Sequence, residues 1–286
     1  MREMVAAGRY YDRDPTLLKE EVEAHYNSIR GPGSTPLNRQ DGKVRAIIVP
    51  NSPYKNCGDC MAWGYKEIAE SPLADVYIII ATNQFSQENG LTMRTYETPL
   101  GMVRVDQVLA KALAAKGTIG FNDEIHEKDF PIEVQLPFLQ HAKMREIEHI
   151  KILPILLSYG LDVRKLAIDL KEAIVETDRN PVFIVSTDFT HYGPLFHYVP
   201  FSTNVQEGIR ELDKKMFEAI IAQDADRFRN VVAEHMVKLH GSQAVELLLR
   251  MLRSCNVRFL QYYTSGDIYA DYKNSVSYAT ITFEEK

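Results

Sequence analysis

The chain has 286 residues, a net charge of −6, and 45% hydrophobic and 25% charged residues. This balance predicts a globular protein, and the negative charge argues against a surface for nucleic acid or anionic membranes. No apolar run reaches the roughly 18 residues of a membrane span, and residues 1–9 lack the apolar core of a signal peptide. Three cysteines make no disulfide framework. We therefore expect a cytoplasmic protein.

The first 42 residues differ in pattern from the rest. Asp14 and Pro15 begin a predicted helix over 16–28, because proline at the first helical position loses no hydrogen bond. The Gly/Pro-rich stretch 31–36 then prevents regular structure. The helix has an apolar face formed by Leu17, Leu18, Val22 and Tyr26. We interpret residues 1–42 as a helical arm and linker lying on the main domain; a flexible extension is the alternative.

From residue 43 onward, short apolar runs alternate with helical periodicity. Runs rich in Val and Ile predict strands buried on both faces, at 44–49, 76–80, 152–157 and 182–185. Helices are predicted between and around them, at 60–70, 105–115, 132–143 and 163–176. Such alternation is typical of parallel strands joined by crossover helices.

The order of elements changes after His191. Consecutive helices are predicted at 205–222, 225–238 and 243–254, followed by strands at 258–264 and 275–283. We interpret the helices as an insertion into one α/β domain that spans residues 43–286. The predicted fold class is three-layer α/β/α with a mixed, largely parallel central sheet.

Polar residues follow several predicted strands. In open α/β sheets, ligands bind just beyond the carboxyl ends of the strands. Residues 50–60 follow the first strand, 81–86 follow the second, and 186–193 follow the strand at 182–185. They supply amides, hydroxyls and the pair Asp188 and His191. The sequence therefore predicts a polar cleft at this end of the sheet.

Five segments, in order, resemble the Memo family. They are Arg45-Ala-Ile-Ile-Val-Pro50 with Tyr54 and Cys57-Gly58, Tyr96-Glu-Thr-Pro-Leu-Gly101 with Val105-Asp106, Ile132-Glu-Val-Gln-Leu-Pro-Phe-Leu139, Ser186-Thr-Asp-Phe-Thr-His-Tyr-Gly193, and Ser275-Val-Ser-Tyr-Ala279. The resemblance extends from about Lys43 to Phe283. It implies the fold of the class III extradiol (LigB-like, non-haem iron) dioxygenases.

The resemblance also implies a metal site with two histidines and a cysteine. The histidine after the first strand corresponds here to Asn51, and the histidine after the second corresponds to Gln84. The cysteine corresponds to His240, and a further family histidine falls near Phe130. Imidazole is a common metal ligand, whereas an amide oxygen is a weak donor for Fe, Cu or Zn. The resemblance therefore implies that the sequence keeps the family's fold but lacks the side chains of its metal site.

Asp188, His191 and His240 together have the composition of a two-His-one-carboxylate metal site. The resemblance keeps the first two and places His240 at a ligand position. Alternatively, Asp188 and His191 orient each other or bind substrate, while His240 caps a helix. Both interpretations stay open. With Asn51 and Gln84, these three residues form the predicted pocket.

Other residue types suggest weaker alternatives. Cys57-Gly-Asp-Cys60 has the spacing of redox and zinc motifs, but Cys255 is alone, so small residues packing at a helix start are favoured. Ser186 or Thr190 as a hydrolase nucleophile lacks the strand-turn-helix signature. The tyrosines that line the pocket or belong to the core are Tyr54, Tyr192 and Tyr278. The histidines expected at the surface are His25, His126, His141 and His149.

The function predicted from these residues and the resemblance is that of a Memo-family protein with a degenerate metal site. It acts as a non-catalytic ligand-binding or complex-forming subunit. The alternative is a metal-dependent oxidoreductase, with non-haem iron or copper held by the variant ligand set. We expect no cofactor, while Fe, Cu or Zn belongs to the alternative. Expected partners are another protein (a homo- or hetero-oligomer, with an intact Memo-like paralogue as a candidate) and a small polar ligand, but neither nucleic acid nor a membrane.

Overall fold

A computed structural model of the chain describes residues 1–37, 39–252 and 254–286. Asn38, in the predicted linker, and Arg253, in the helix predicted over 243–254, lie outside the described residues. The helices are α1 (Pro15–Asn27), α2 (Tyr54–Ala69), α3 (Gln107–Ala115), α4 (Asp123–Lys128), α5 (Leu136–Ala142), α6 (Val163–Glu176), α7 (Val205–Ile221), α8 (Ala225–Glu234), α9 (Ser242–Met251) and α10 (Ser265–Tyr269). In this described part, no helix is long and apolar enough to cross a membrane.

The strands coincide with the apolar runs rich in Val and Ile, to which several short strands are added. They are β1 (Val44–Val49), β2 (Val76–Thr82), β3 (Gly90–Leu91), β4 (Tyr96–Thr98), β5 (Gly101–Val105), β6 (Lys151–Leu157), β7 (Pro181–Ser186), β8 (His191–Tyr192), β9 (Asn256–Thr264) and β10 (Ser275–Glu284). The six predicted strands are confirmed, each to within two residues at either end.

The central strands run parallel in the spatial order β5-β6-β2-β7-β1. β10 continues the sheet antiparallel to β1, and it pairs in turn with β8 and β9. At the other edge β4 is antiparallel to β5, and β3 is antiparallel to β6. Every residue of β2 and β7 is buried, as expected for strands covered on both faces. The predicted mixed, largely parallel sheet is confirmed.

Helices cover the two faces of the sheet. α2 packs on β1 and β10 and carries α1 and α5. α9 packs on β2 and β7 and carries α6 and α8, while α3 packs on α6. The α/β architecture predicted from the alternating pattern is therefore confirmed. It leaves the loops at the carboxyl ends of β1, β2, β6 and β7 free to form a site.

The N-terminal arm packs closely on the domain. Asp14 caps α1, because its side chain accepts hydrogen bonds from the backbone N–H groups of Thr16 and Leu17. Leu18, Val22 and Tyr26 are fully buried, so the apolar face of this helix forms part of the core. Leu17 was predicted on that face and is 51% exposed, which corrects the prediction. The flexible alternative does not describe this segment, while the division at residue 42 stays a prediction.

Several element boundaries were wrong. α2 begins at Tyr54 instead of residue 60, because Pro53 precedes its first turn and the mostly polar residues 55–59 obscure the helical pattern. The helix predicted over 132–143 is a 3₁₀ turn, Glu133–Gln135, followed by α5. α8 ends at Glu234, before Met236 with its positive φ of 46°. Strands of two to five residues, such as β3, and helices of five or six residues, such as α4, were missed because they are too short for a periodic pattern.

Candidate functional site

Three adjacent strands bring the predicted pocket residues together. Asn51 follows β1, Gln84 follows β2 and Asp188 follows β7, and these strands are neighbours in the sheet. They line a cavity of about 250 Å³ together with His191 and His240. We call this cavity the inner cleft. Its further lining residues are Tyr10, Ser52, Pro53, Phe130, Phe196 and Val276.

Asp188 is held rigidly at the floor of the inner cleft. Its Oδ1 accepts a hydrogen bond from the backbone N–H of Asn51 (2.9 Å), and its Oδ2 accepts one from the hydroxyl of Ser52 (2.5 Å). Burial raises the pKa of Asp188 to about 6, although these hydrogen bonds oppose the shift. Both carboxyl oxygens are therefore engaged with the loop that follows β1.

The amide of Asn51 is also engaged within the protein. Its Nδ2 donates to the backbone carbonyl of Ser186 at 3.0 Å. Gln135 ties the same strand ends, since its Nε2 donates to the carbonyl of Pro50 (3.0 Å) and to the hydroxyl of Ser186 (2.8 Å). Ser186 Oγ donates in turn to the carbonyl of Pro131. These bonds fix the carboxyl ends of β1 and β7 against each other, and they make Ser186 a structural hydroxyl.

The two histidines of the inner cleft stack on each other. The ring centroids of His191 and His240 are 4.7 Å apart, with an interplanar angle of 18°. His191 Nδ1 lies 2.9 Å from the carbonyl oxygen of Phe189, which makes Nδ1 the protonated nitrogen of the neutral ring. Desolvation lowers the pKa of both histidines, and their mutual repulsion lowers that of His240 further. Two neutral imidazoles therefore lie beside Asp188.

Gly241 explains how His240 reaches this position. A Cβ at residue 241 would lie 2.1 Å from Oγ1 of Thr187, so only glycine lets the start of α9 approach the β7 loop this closely. Asp188 follows Thr187 directly. The Leu-His-Gly sequence therefore places His240 over the loop that carries Asp188 and His191.

Gln84 lies at the mouth of the cleft and is exposed. Its backbone N–H donates to Oδ2 of Asp129 at 3.0 Å. Asp129 is 2% exposed, and its Oδ1 has no hydrogen-bond partner among the described residues. Burial raises the pKa of Asp129 to about 7. This second carboxyl, directly before Phe130, was not predicted from the sequence.

Tyr10 is another cleft residue that sequence reasoning missed. It comes from the N-terminal arm, and its ring lies 4.2 Å (centroid to centroid) from that of Phe130. An aromatic residue in an arm carries no local signal that distinguishes a site from packing. By contrast, the three tyrosines named from the sequence, Tyr54, Tyr192 and Tyr278, are all buried in the core. Tyr54 is fully buried with its hydroxyl bonded to the carbonyl of Val134, and Tyr192 is buried with its hydroxyl bonded to Phe201.

The Cys57-Gly-Asp-Cys60 segment packs against helix α1 of the N-terminal arm. Asp59 Oδ1 lies 2.7 Å from Nδ1 of His25 in α1, and a Cβ at Gly58 would lie 2.3 Å from the same imidazole. Both cysteines are buried, and burial raises the pKa of each thiol. A buried thiol with a raised pKa is not a redox nucleophile. The packing interpretation is therefore favoured over the redox one.

The histidines expected at the surface divide into three cases. His149 is exposed, as predicted, whereas His25 and His141 are partly buried. The prediction was wrong for His126, which is 1% exposed. Its ring nitrogens contact the hydroxyl of Tyr96 (2.8 Å) and the carbonyl of Gly90 (2.9 Å). The buried neutral ring is thus hydrogen-bonded on both nitrogens. The charged residues next to it in the sequence had wrongly suggested a surface position.

A second cavity, which we call the rim pocket, adjoins the inner cleft. It has a volume of about 340 Å³, and its lining residues are 82–87, Tyr159, Lys238 and His240. Gln84 and His240 line both cavities. The rim pocket lies beyond the carboxyl ends of β2 and β6, so it extends the cleft along the same edge of the sheet.

The candidate ligand set Asp188, His191 and His240 is gathered at one cleft. Across residues 1–37, 39–252 and 254–286, however, no three His, Cys, Asp or Glu side chains form a group that could hold a metal ion. As ligands of one ion, these three residues stay a prediction.

Comparison with known proteins places this chain among relatives of matching length. A family model described as Memo-like protein matches residues 2–282. A MEMO1 family protein of Methanopyrus kandleri is 30% identical, with 99% of this chain and 98% of the relative covered. The corresponding protein of Methanococcus maripaludis is 31% identical, with 98% of each covered. One from Nitrosopumilus maritimus is 30% identical, with 99% of each covered. The chain belongs to the Memo family.

Proposed function

We propose that this Memo-family protein binds a small polar ligand in the inner cleft and performs no metal-dependent oxidation there. The observation that carries the proposal is the pair of amides, Asn51 and Gln84, at the positions where the resemblance implies imidazoles. An amide donates and accepts hydrogen bonds but is a weak ligand for Fe, Cu or Zn. These positions suit recognition of a polar group.

The engagement of the remaining groups supports the same proposal. Both oxygens of Asp188 already accept hydrogen bonds from Asn51 and Ser52. The Nδ2 of Asn51 is bonded to Ser186, and Gln84 is exposed at the mouth. A metal here would have to share Asp188 with these two donors and take its remaining ligands from weak amide oxygens and two stacked imidazoles. The donor set therefore does not fit the ion that the resemblance implies, and we derive no step through a metal.

The proposed role of the cleft residues is binding and orientation. The neutral His191 and His240 offer lone pairs, while the phenol of Tyr10 and the amide of Gln84 offer donors. Phe130 and Phe196 supply apolar walls. A cavity of about 250 Å³ accommodates a ligand of a few heavy atoms, smaller than most drug-sized molecules.

Metal titration by calorimetry, followed by elemental analysis, tests this proposal. The wild type should bind Fe²⁺, Cu²⁺ and Zn²⁺ no more tightly than micromolar. The double variant Asn51→His, Gln84→His should gain at least about tenfold in affinity, because it restores two imidazoles beside His240. Gln87→His is the matched control, since it adds an imidazole on the same loop outside the inner cleft. Sub-micromolar binding by the wild type contradicts the proposal.

The competing function is a metal-dependent oxidoreductase that uses Asp188, His191 and His240. The convergence of all three at the inner cleft favours it as the second candidate. If natively purified protein carries Fe, Cu or Zn that His240→Ala removes, this function replaces the first. Unchanged metal content in His240→Ala eliminates it.

A protein partner and a cytoplasmic location complete the proposal. In this view the chain is one half of a complex whose other half, an intact Memo-like protein, supplies the chemistry. Family membership and the replaced ligand positions support this role. Light scattering on natively purified material, with mass spectrometry of co-purifying chains, tests it. A monomer without any co-purifying protein contradicts the partner.

A further inference from the structure

The charge of the rim pocket is unusual for this protein. The chain has 39 acidic against 33 basic residues, yet the residues that line the rim pocket include no carboxylate. They do include Lys238, which is exposed. Within the described residues, the ammonium of Lys238 makes no ion pair or hydrogen bond. A local positive charge on an acidic protein is therefore left without a counter-charge at a cavity.

An unpartnered hydroxyl lies in the same pocket. Thr82, the last residue of β2, is 6% exposed, and its Oγ1 has no hydrogen-bond partner among the described residues. Buried hydroxyls are nearly always bonded, and leaving one unpaired costs about 1–3 kcal/mol. The hydroxyl and the ammonium come from different elements, β2 and the loop before α9. The two groups line one cavity, where an anionic acceptor could take the hydrogen bond of the hydroxyl and the charge of the ammonium.

The position of Lys238 links the two cavities. It lies two residues before His240, which lines both the rim pocket and the inner cleft. Two exposed rings, Phe85 and Tyr159, each 62% exposed, supply apolar surface to the rim pocket. A ligand can therefore extend from the neutral polar groups of the inner cleft, past His240, to the ammonium.

We propose that the rim pocket binds the acidic group, a carboxylate or a phosphate, of an elongated organic ligand whose uncharged polar end enters the inner cleft. Lys238 supplies the charge, the hydroxyl of Thr82 donates a hydrogen bond, and Phe85 and Tyr159 contact an apolar spacer. This inference rests on the proposed ligand-binding function and names the chemical class of its ligand.

Chemical-shift titration of the isotope-labelled, metal-free protein tests the inference. Glutarate should shift the signals of Thr82, Lys238 and His240, whereas glutaramide, its neutral diamide, should not. Inorganic phosphate is titrated in parallel. Shifts with phosphate alone assign the acidic group as a phosphate, and shifts with glutarate alone assign it as a carboxylate. Equal shifts with glutaramide, or no shift with either anion up to its solubility limit, overturn the inference.

Variants identify the groups responsible. Lys238→Met should weaken binding of the effective anion about five- to tenfold, because it removes the charge and keeps the chain length. Lys214→Met, at an exposed lysine of α7, is the matched control and should bind as the wild type. Thr82→Val should weaken binding severalfold without lowering the melting temperature, since it removes an unpaired hydroxyl. Anion binding that is unchanged in Lys238→Met overturns the inference.

The outcomes for the two proposals are separable. Tight metal binding by the wild type contradicts the proposed function whatever the effect of Lys238→Met on anions. Anion binding that is unchanged in Lys238→Met contradicts the assignment of the rim pocket as the anion site, but it does not contradict the proposed metal-free function of the inner cleft.

Discussion

Two buried carboxyl groups four residues apart have opposite surroundings. Glu133, fully buried, accepts hydrogen bonds from the backbone N–H groups of Val5 and Ala6 (both 2.9 Å) and pairs with the buried guanidinium of Arg2. Asp129 is buried and makes no ion pair with the described residues; its Oδ2 accepts the N–H of Gln84, and its Oδ1 has no partner among them. The first carboxyl is saturated with donors, while the second is left with a raised pKa.

The contrast distinguishes a structural anchor from a group beside a site. Glu133 also accepts a hydrogen bond from the hydroxyl of Tyr11 (2.6 Å), so it ties the arm to the domain at several points. That anchor fixes Tyr10, the preceding residue, in the inner cleft. A saturated buried ion pair loses much when one partner is removed. An unsatisfied buried carboxyl, in contrast, already opposes folding when it is ionised.

The largest expected effect is therefore at Glu133. Glu133→Gln should lower the free energy of unfolding by about 3–5 kcal/mol, because the guanidinium of Arg2 is left buried without a counter-charge. Chemical denaturation measures the change. Glu3→Gln, at an exposed neighbour in the arm, is the control and should change stability little. Adding Arg2→Met to Glu133→Gln should recover part of the loss, and a loss below about 1 kcal/mol contradicts the anchor.

An intermediate effect is expected at Asp129, and it depends on pH. The pKa of this carboxyl is raised from 3.8 to about 7 by burial. Its contribution to stability is therefore fully present below pH 4 and is lost as pH rises through 7, by an amount on the order of a few kcal/mol. Asp129→Asn removes that loss. The variant should be more stable than the wild type at pH 8 and should differ less at pH 4.

Asp123 provides the opposite control for this pH dependence. Its pKa is lowered, despite partial desolvation, by the hydroxyl of Thr92 and the guanidinium of Arg94. Its stabilising contribution is present above its unfolded pKa and lost as pH falls, so Asp123→Asn should lower stability at pH 8. Denaturation midpoints at both pH values compare the two variants. If Asp129→Asn and Asp123→Asn change stability in the same direction at pH 8, the predicted difference between the two carboxyl groups is contradicted.

The smallest effects come from two adjacent tyrosines. Tyr11→Phe should cost about 1–2 kcal/mol, because Glu133 loses a charge-assisted hydrogen bond. Tyr10→Phe should cost less than about 0.5 kcal/mol, because the ring keeps its contact with Phe130 and only the cleft loses a hydroxyl. Thermal unfolding of the two single variants measures the difference. A larger loss for Tyr10→Phe means that its hydroxyl holds the arm.

The sequence was most informative about strands and helices whose apolar residues recur with a regular period. The six predicted strands were identified to within two residues, and the cap at Asp14 and the apolar residues of α1 other than Leu17 were right. These features depend on side-chain periodicity and local hydrogen bonding, both of which are written within a few neighbouring residues. The short strand β3 depends on pairing with the distant β6, and β4 and β5 form a local hairpin of strands too short to show an alternating pattern, so neither feature was indicated.

The sequence predicted the cleft residues at the strand ends but not those contributed by other segments. The rule that ligands bind beyond the carboxyl ends of parallel strands led to Asn51, Gln84 and Asp188. Tyr10 and Asp129 could not be found this way, since one comes from the arm and the other precedes a 3₁₀ turn. In the same way, the family motif around Glu133 and Gln135 gave no hint that one side chain anchors the arm while the other ties β1 to β7.

The sequence by itself determined the layered α/β fold, the family and the residue types at the cleft, because backbone periodicity and ordered motifs are properties of the chain. Only the tertiary structure decided which of those groups are free to act. Burial and long-range hydrogen bonds engage both oxygens of Asp188, make His126 a core residue and raise the pKa of Asp129. They also leave Lys238 without an ion pair among the described residues. Desolvation and hydrogen-bond partners depend on neighbours distant in sequence, and folding brings them together.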